Sequence, residues 1–494
     1  MQGDTPRNNS AWPIVEPECD RTGDGQGMNV LLYSHSLPPW VDGVSTRFRA
    51  HIKMLEERGH QVDLLTIEPE LEPSVRKCAH STEVLTSRCL YWYPAKRFPD
   101  LTVANLAKVW RACRQSQADV MHVTMCPAMP LFYICTAILD IPLMVSIHTD
   151  SVTLLNKCKQ PWWVVQIVKA LEPLGSWVCD AAYTVSPSYS AILLQRGIKC
   201  MDVTWGGYAN PDVFRPERRF EGHWRERLTF GHPEGFIICY AGRISPEKDI
   251  DFLVELTRQF KDRGVWLALI GDGPAAEDFV HLHGEEHQVY FVPKFLGQNE
   301  LAQVYASVDV VTSASTFETF GYTALEAMQC GTPFLGPRAQ GFRDVVSHGK
   351  GGYLFDARDL SSAAHYLELL LNERTELFPR DGVVAAVADF TALNCLKRTL
   401  VAYERVKAKR HATKQSLDPV TRVLVRTLRI FSALVMVVFM AINWILLSAP
   451  YSYVAVCDLA ARARRTAGGM WDRRMRFTNL TRNRVLVGSQ VVNS

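Results

Sequence analysis

Between Ser315 and Pro333 the chain reads STFETFGYTALEAMQCGTP. The run just before it, VDVVTSAS over 308–315, is short and apolar, as a buried strand is, and the residues after the glycine carry helical spacing. The glycine-centred ETFGYT is therefore a strand-to-helix turn. Two glutamates, Glu318 and Glu326, stand on either side of it. A helix beginning around Phe320, Gly321, Tyr322 and Thr323 offers N–H groups and the positive end of its dipole, a place for a phosphate. Carboxylates do not attract that phosphate, but they accept paired hydrogen bonds from vicinal hydroxyls. Two of them flanking a phosphate site suit the two sugars of a nucleotide sugar. Taken singly, Glu318 reads equally as a helix cap and Glu326 as a solvated surface residue.

The same rhythm extends outward. GFIICYAGR (235–243), VWLALIGDGP (265–274), QVYFVPKF (288–295) and TPFLGP (332–337) are strand-sized runs separated by helix-sized ones. An earlier series comprises MNVLLYSH (28–35), QVDLLTI (61–67), ADVMHVT (118–124), IPLMVSIHTD (141–150) and DAAYTVS (180–186). In its first turn Val44, Phe48, Ile52 and Leu55 recur at helical spacing up to Gly59. Alternation of this kind predicts parallel strands with crossover helices. The fold class is α/β: two Rossmann-like, doubly wound domains facing a cleft, followed by a C-terminal hydrophobic membrane helix. The expected order is a disordered leader at 1–27, an acceptor-side domain at 28–205, a nucleotide-sugar domain at 206–385 and a crossover helix at 386–415. A membrane helix at 430–449 and a basic tail at 459–494 follow. The hinge falls in TWGGYANPDVFRPE (204–217), where glycine and proline break both periods.

Composition narrows the function. With 494 residues, 47% of them hydrophobic, the chain can fill two cores, and a formal charge of +3 leaves no footprint for nucleic acid. Thirteen cysteines without CxxC spacing fit a reducing compartment. The leader has no apolar core and carries Asp4, Glu16, Glu18, Asp20 and Asp24, so it reads as neither signal nor transit peptide. IFSALVMVVFMAINWILLSA, residues 430–449, is uncharged and about as long as a bilayer-spanning helix requires. Arginines stand on both sides, at 422, 426 and 429 and at 462, 464 and 465, so charge does not select an orientation. Membrane attachment is expected, with a surface-lying helix as the other geometry.

Further chemistry sits at other strand ends. AGRISPEK supplies Arg243 and Lys248, two cations able to neutralise a diphosphate leaving group without metal. GDGP places Gly271 and Gly273 where backbone approaches a ligand or simply turns. In WVDGVSTRF, Gly43 lies at the first strand-to-helix turn with Arg47 one turn on, a candidate partner for an anionic sugar. Asp249–Asp251 spell Asp-x-Asp, but at a helix start, where aspartate is an ordinary cap. No metal and no cofactor is expected.

DGVSTR, SIHTD, AGRISPEKD, IGDGP, ETFGYTALEAMQCGTP and GGYLF, in this order and spacing over roughly 28–410, resemble the retaining nucleotide-sugar glycosyltransferases of the GT-B fold. The group is family 4, which includes sucrose-phosphate synthases and bacterial mannosyltransferases. The resemblance implies that Glu326 binds the ribose, that Glu318 touches the donor hexose, and that Arg243 and Lys248 hold the diphosphate. It also implies that Gly43 faces the phosphates from the opposite domain and that His148 stands at the reaction centre. Within the group, PWVDGVSTRF and PEKDIDFL are most similar to sulfoquinovosyltransferases and diacylglycerol glycosyltransferases. Asp42 before Gly43, the GGYANPDVFRP segment, and Tyr322 and Thr323 depart from the common pattern. The implied activity is retaining, metal-independent transfer of a hexose, sulfoquinovose foremost, from a UDP-sugar to a lipid such as diacylglycerol at a membrane. The catalytic domains would then face the cytosol or stroma. Another lipid-linked or glycan acceptor, or a non-catalytic nucleotide-sugar-binding membrane subunit, are the alternatives.

Overall fold

The computed structural model describes residues 27–438 apart from 41, 91–92, 158–159, 201–205, 221–222, 284–287, 422, 429, 433 and 436–437. Two compact units emerge. One ends at Ala209 and resumes at Asp389; the other spans Asn210–Ala388. The division falls inside the Gly- and Pro-broken segment 204–217.

The first unit is built on a parallel sheet of β1 (Asn29–Ser34), β2 (Gln61–Thr66), β3 (Ser81–Val84), β6 (Val120–Thr124), β7 (Leu143–Ile147) and β8 (Ala181–Thr184). The strand order is β3-β2-β1-β6-β7-β8. A hairpin of β4 (Ser87–Leu90) and β5 (Tyr93–Pro99) interrupts the series. Val30 through Tyr33 are fully buried, as expected of a central strand covered on both faces. Leu32 lies level with Leu64 on one side and His122 on the other. Because β1 leads outward to β2 in one direction and its other neighbour is β6, the sheet reverses at β1/β6, the place where doubly wound sheets hold ligands.

The second unit repeats the plan with β9 (Phe236–Ala241), β10 (Val265–Ile270), β11 (Val289–Val292), β12 (Val310–Thr312), β13 (Phe334–Pro337) and β14 (Gly352–Phe355). Its order, β11-β10-β9-β12-β13-β14, reverses at β9/β12. The strand opening the 315–333 stretch is therefore central, and its carboxyl end is at the switch point.

Three structural features were not legible as strands. β3 is STEV, mostly half-exposed at the sheet edge, and β4 and β5 (SRCL, YPAKRFP) are polar and proline-bounded, so none shows a buried run. β14 hides in GGYLF, only four residues long.

The helix Ala392–Ser416 returns to the first unit, where Leu396, Tyr403 and Val406 join the core beneath β1 and the Gly43–Glu57 helix. The Tyr403 hydroxyl bridges two buried imidazoles, His51 Nε2 at 3.1 Å and His122 Nδ1 at 2.8 Å. Burial holds His51 down to about 3, so that ring is neutral at physiological pH. Among the described residues no helix is long and apolar enough to cross a membrane. Most of the apolar run 430–449 lies outside the described residues, as do leader residues 1–26, the tail from 459 and the Asn8 and Asn479 sequons.

At the switch point of the second unit the loops touch backbone to backbone. A Cβ on Gly271 would sit 1.8 Å from the Gly242 carbonyl oxygen, and one on Gly273 2.2 Å from that of Ile244. Gly271 also holds φ +146°, which side chains avoid. Gly271→Ala is therefore expected to destabilise the second unit by more than about 2 kcal/mol, read as a lowered unfolding midpoint. Gly382→Ala, in a helix with nothing within 4 Å of the new methyl, is expected to be neutral or to gain up to about 1 kcal/mol.

Candidate active site

In the second unit the predicted residues gather on the loops after β9, β10 and β12. Arg243 and Lys248 follow β9, and the Tyr240 hydroxyl donates to the Arg243 carbonyl at 2.8 Å, folding that loop back on its own strand. Ile244 N–H donates to the Asp272 carbonyl at 3.0 Å, joining the β9 and β10 loops. The Ser315 hydroxyl, at the end of β12, lies 3.3 Å from the Glu247 carbonyl and so joins β12 to β9.

Glu318 is fixed from both sides. Its N–H donates to Gln340 Oε1 at 3.0 Å, its carbonyl accepts from Gly341 N–H at 2.8 Å, and its carboxylate accepts from Lys248 Nζ at 3.1 Å. The partners of that ion pair keep 26% and 21% of their side-chain surface, so the carboxylate is oriented yet reachable. Glu318 is not the N-cap: Gly321 takes that position at φ +102°, and a Cβ there would be 2.9 Å from the Phe342 ring. The Arg243 guanidinium has no hydrogen-bond or ion-pair partner among the described residues, while Lys248 is already held by Glu318. The two cations are thus in different states before any ligand arrives.

The helix Tyr322–Gln329 starts at Gly321, and Leu325 N–H is bonded to the Gly321 carbonyl at 3.1 Å. First-turn N–H groups ahead of it find no acceptor within a helix, so this end attracts an anion. Phe320 is buried and its ring leans on Tyr322, with centroids 5.0 Å apart. The Thr323 hydroxyl bonds the buried Tyr305 hydroxyl. The uncommon side chains at 322 and 323 are therefore occupied in packing and leave the backbone of the turn as it is.

Glu326 is not a solvated face residue. It is half-buried, its carboxyl has no hydrogen-bond partner among the described residues, and burial pushes its pKa up to about 8. A chain that keeps a carboxyl in such a place forgoes stability, which is characteristic of a ligand site.

In the first unit, Asp42 caps the Gly43–Glu57 helix. Its carboxylate accepts from Ser45 N–H at 2.8 Å and from the Ser36 hydroxyl at 2.7 Å. Gly43 is exposed at the first helical position just past β1. His148 follows β7, with Nδ1 3.1 Å from Arg47 and Nε2 2.9 Å from the Ser146 hydroxyl. Arginine only donates, so Nδ1 accepts, Nε2 carries the proton, and the imidazole is neutral. Arg47, 4% exposed, thus holds His148 through one guanidinium nitrogen. In the same SIHTD motif Asp150 is structural. It takes a two-pronged bond from Arg196 at 2.6 and 2.9 Å and caps the next helix through Thr153 N–H.

Asp251 of the Asp-x-Asp run bonds His283 at 2.8 Å, and Asp249 stands at the helix start with no capping bond from its side chain. Gln340 and Tyr240, which hold Glu318 and Arg243, carry no local sequence signal. Their positions beside strand ends of the second sheet are the only pointer to them.

Comparison with known proteins agrees with this layout. Residues 41–204 match the model of Glycosyltransferase Family 4, and residues 224–379 that of Glycosyl transferases group 1. A GDP-mannose-dependent alpha-mannosyltransferase of Corynebacterium glutamicum is 34% identical over 362 residues, which span 69% of this chain and 80% of that protein. The sulfoquinovosyl transferase of Arabidopsis thaliana is 27% identical over 372 residues, 73% of this chain and 69% of the relative. An Anabaena protein crystallised with UDP and glucose superposes with a TM-score of 0.57 at 18% identity, over 76% of this chain and 99% of that one.

A carboxyl whose pKa in the folded chain exceeds its unfolded value binds its proton more tightly when folded. The stability this gives is complete below the unfolded value, near 4.5, and is lost as pH climbs through about 8. Glu326→Gln removes the titration. Its unfolding midpoint should match the parent near pH 4.5, exceed it increasingly up to pH 8 and then level off. The same variant should bind UDP about tenfold or more weakly, because a carboxyl whose two oxygens can accept from both ribose hydroxyls becomes an amide with a single acceptor oxygen. Thermal unfolding across pH and UDP titration calorimetry check the two halves.

Proposed function

Because the chain belongs to the family 4 glycosyltransferases, with the GT-B fold, we propose that it transfers a hexose from a UDP-sugar to a lipid hydroxyl at a membrane. Sulfoquinovose is the foremost donor sugar and diacylglycerol the foremost acceptor. The observation that carries the reading is the half-buried Glu326 carboxyl, which has no hydrogen-bond partner among the described residues, in the helix whose start lies beside the Lys248–Glu318 pair and the uncommitted Arg243. The ribose diol satisfies Glu326, the helix start and Arg243 take the diphosphate, and Glu318 meets the hydroxyls of the hexose. The likeness of DGVSTR and SIHTD to the family's motifs supports a role for Gly43 toward the phosphates and for His148 toward the donor sugar.

The reaction is a retaining one without metal. The bond between the anomeric carbon and the UDP oxygen breaks, and the acceptor oxygen bonds that carbon on the face UDP leaves. The acceptor proton passes to the departing phosphate oxygen. Charge growing on the diphosphate is met by Arg243, by Lys248 and by the helix dipole, all in place beforehand. The similarity to the Arabidopsis sulfoquinovosyl transferase supports the sugar and the lipid, and the apolar run 430–449 supports the membrane. The catalytic units face the cytosol or stroma, where UDP-sugars are made. The 34% identity to a GDP-mannose-dependent enzyme supports a second reading, transfer of mannose from GDP-mannose.

Offering UDP-sulfoquinovose, UDP-glucose and GDP-mannose to the purified chain with diacylglycerol vesicles, and weighing the product by mass spectrometry, separates the two. A sulfoquinovosyl lipid is expected, and a mannosylated one alone would replace the first reading by the second. Glu318→Gln should lower kcat at least about a hundredfold, with UDP affinity within a few-fold of the parent. An undiminished rate in that variant would remove Glu318 from the reaction.

A further inference from the structure

Beyond Ser416 the chain becomes helical again from residue 419, and this helix is inverted relative to ordinary surface helices. Val420, Leu424, Leu428, Phe431, Val435 and Val438 are all apolar and 49% to 78% exposed. They advance eighteen residues in five steps, 3.6 per step, which is one helical turn, so they form a single stripe along one face. The helix is tied to the first unit by other residues. Arg426 donates to the Ile138 carbonyl, and Ile430 packs against the core around Met129, Phe132 and Tyr133. Polar attachment thus faces the protein and the apolar stripe faces away from it.

We infer that residues 419–438 form an in-plane membrane helix whose stripe lies in the acyl boundary of a bilayer bearing anionic lipid, with the first unit seated directly on that surface. Three observations select a bilayer as the occupant. The stripe continues without a charge into the twenty-residue apolar run 430–449. Besides Arg426, which bonds the protein, arginines at 422 and 429 accompany it in sequence, the composition that anionic headgroups attract. Val423 and Leu434, three residues on from Val420 and Phe431, are 66% and 48% exposed as well, so the apolar face is broader than the stripe, as a flat boundary favours. The inference rests on the membrane reading above but goes beyond an anchor. It places lipid contact eleven residues ahead of the uncharged run and fixes the catalytic body close to the headgroups, where a lipid acceptor presents its hydroxyl.

Hydrogen exchange on the full chain, with and without vesicles of phosphatidylcholine and phosphatidylglycerol, tests it. Amides of 419–428 should exchange at least tenfold more slowly with vesicles, and phosphatidylcholine alone should give less slowing. Leu424→Glu with Leu428→Glu, both at exposed positions, should abolish that slowing with the unfolding midpoint unchanged, while 430–449 stays protected on vesicles. Equal exchange at 419–428 with and without lipid overturns the inference. So does slowing that grows with protein concentration in the absence of lipid, which means a second copy covers the stripe. Protection already complete in the lipid-free chain at any dilution also overturns it, since the chain's own C-terminal segment then covers it. The donor screen is independent: failure to glycosylate diacylglycerol with vesicle protection intact removes the acceptor and leaves the helix assignment standing.

Discussion

The place of a Cβ on Gly271 is taken by the Gly242 carbonyl, and that of one on Gly273 by the Ile244 carbonyl. This contact of bare backbone with bare backbone is the constraint on which the donor-side residues depend. It draws the loop after β9 against the loop after β10, and Ser315 ties the loop after β12 to the same place. Arg243 and Lys248 on one loop, and Glu318 with the start of the Tyr322–Gln329 helix on another, then lie side by side although 70 residues separate Lys248 from Glu318. Side chains at those glycines would spread the loops and with them the charges they carry.

The charges are organised by differing degrees of commitment. Lys248 and Glu318 hold each other, so the carboxylate has an orientation before substrate arrives. Arg243 is uncommitted among the described residues. Glu326 is kept in a place that raises its pKa to about 8, with no hydrogen-bond partner among the described residues to offset the cost. In the first unit the commitment is complete: Arg47 and Ser146 fix both nitrogens of His148, and Asp150 is spent on Arg196. A half-occupied polar cluster in one unit and a filled one in the other is what separate binding and positioning duties require.

The long helix Ala392–Ser416 joins the core of the first unit to the segment that begins at residue 419. It contributes Tyr403 to the core of the first unit, where the hydroxyl joins His51 to His122, and its Arg410 bonds Asp140 and Asp180. The segment that follows is held at Arg426 and Ile430 by the same unit. Rooted this firmly, the helix holds the start of the 419–438 segment against the first unit, because neither end of the connection is a loose linker.

By itself the sequence determined the alternation of buried strands and helices in both units, since a strand covered on two faces must be a run of apolar residues. It also determined the family and the turn that starts the Tyr322–Gln329 helix, because glycine, helix-forming residues and carboxylates in fixed order leave a local signature. It did not reveal β3 or the β4–β5 hairpin, which bury too little to leave a pattern, or β14, whose four residues are too few to show one. Only the tertiary structure decided that Glu326 is desolvated, that Arg47 serves His148, that Glu318 leans on Gln340 and that the 419–438 stripe points away from the body. Each of those is a property of neighbours brought together from distant parts of the chain. Burial and hydrogen-bond partnership depend on what surrounds a group in space, and periodicity along the chain carries no record of that.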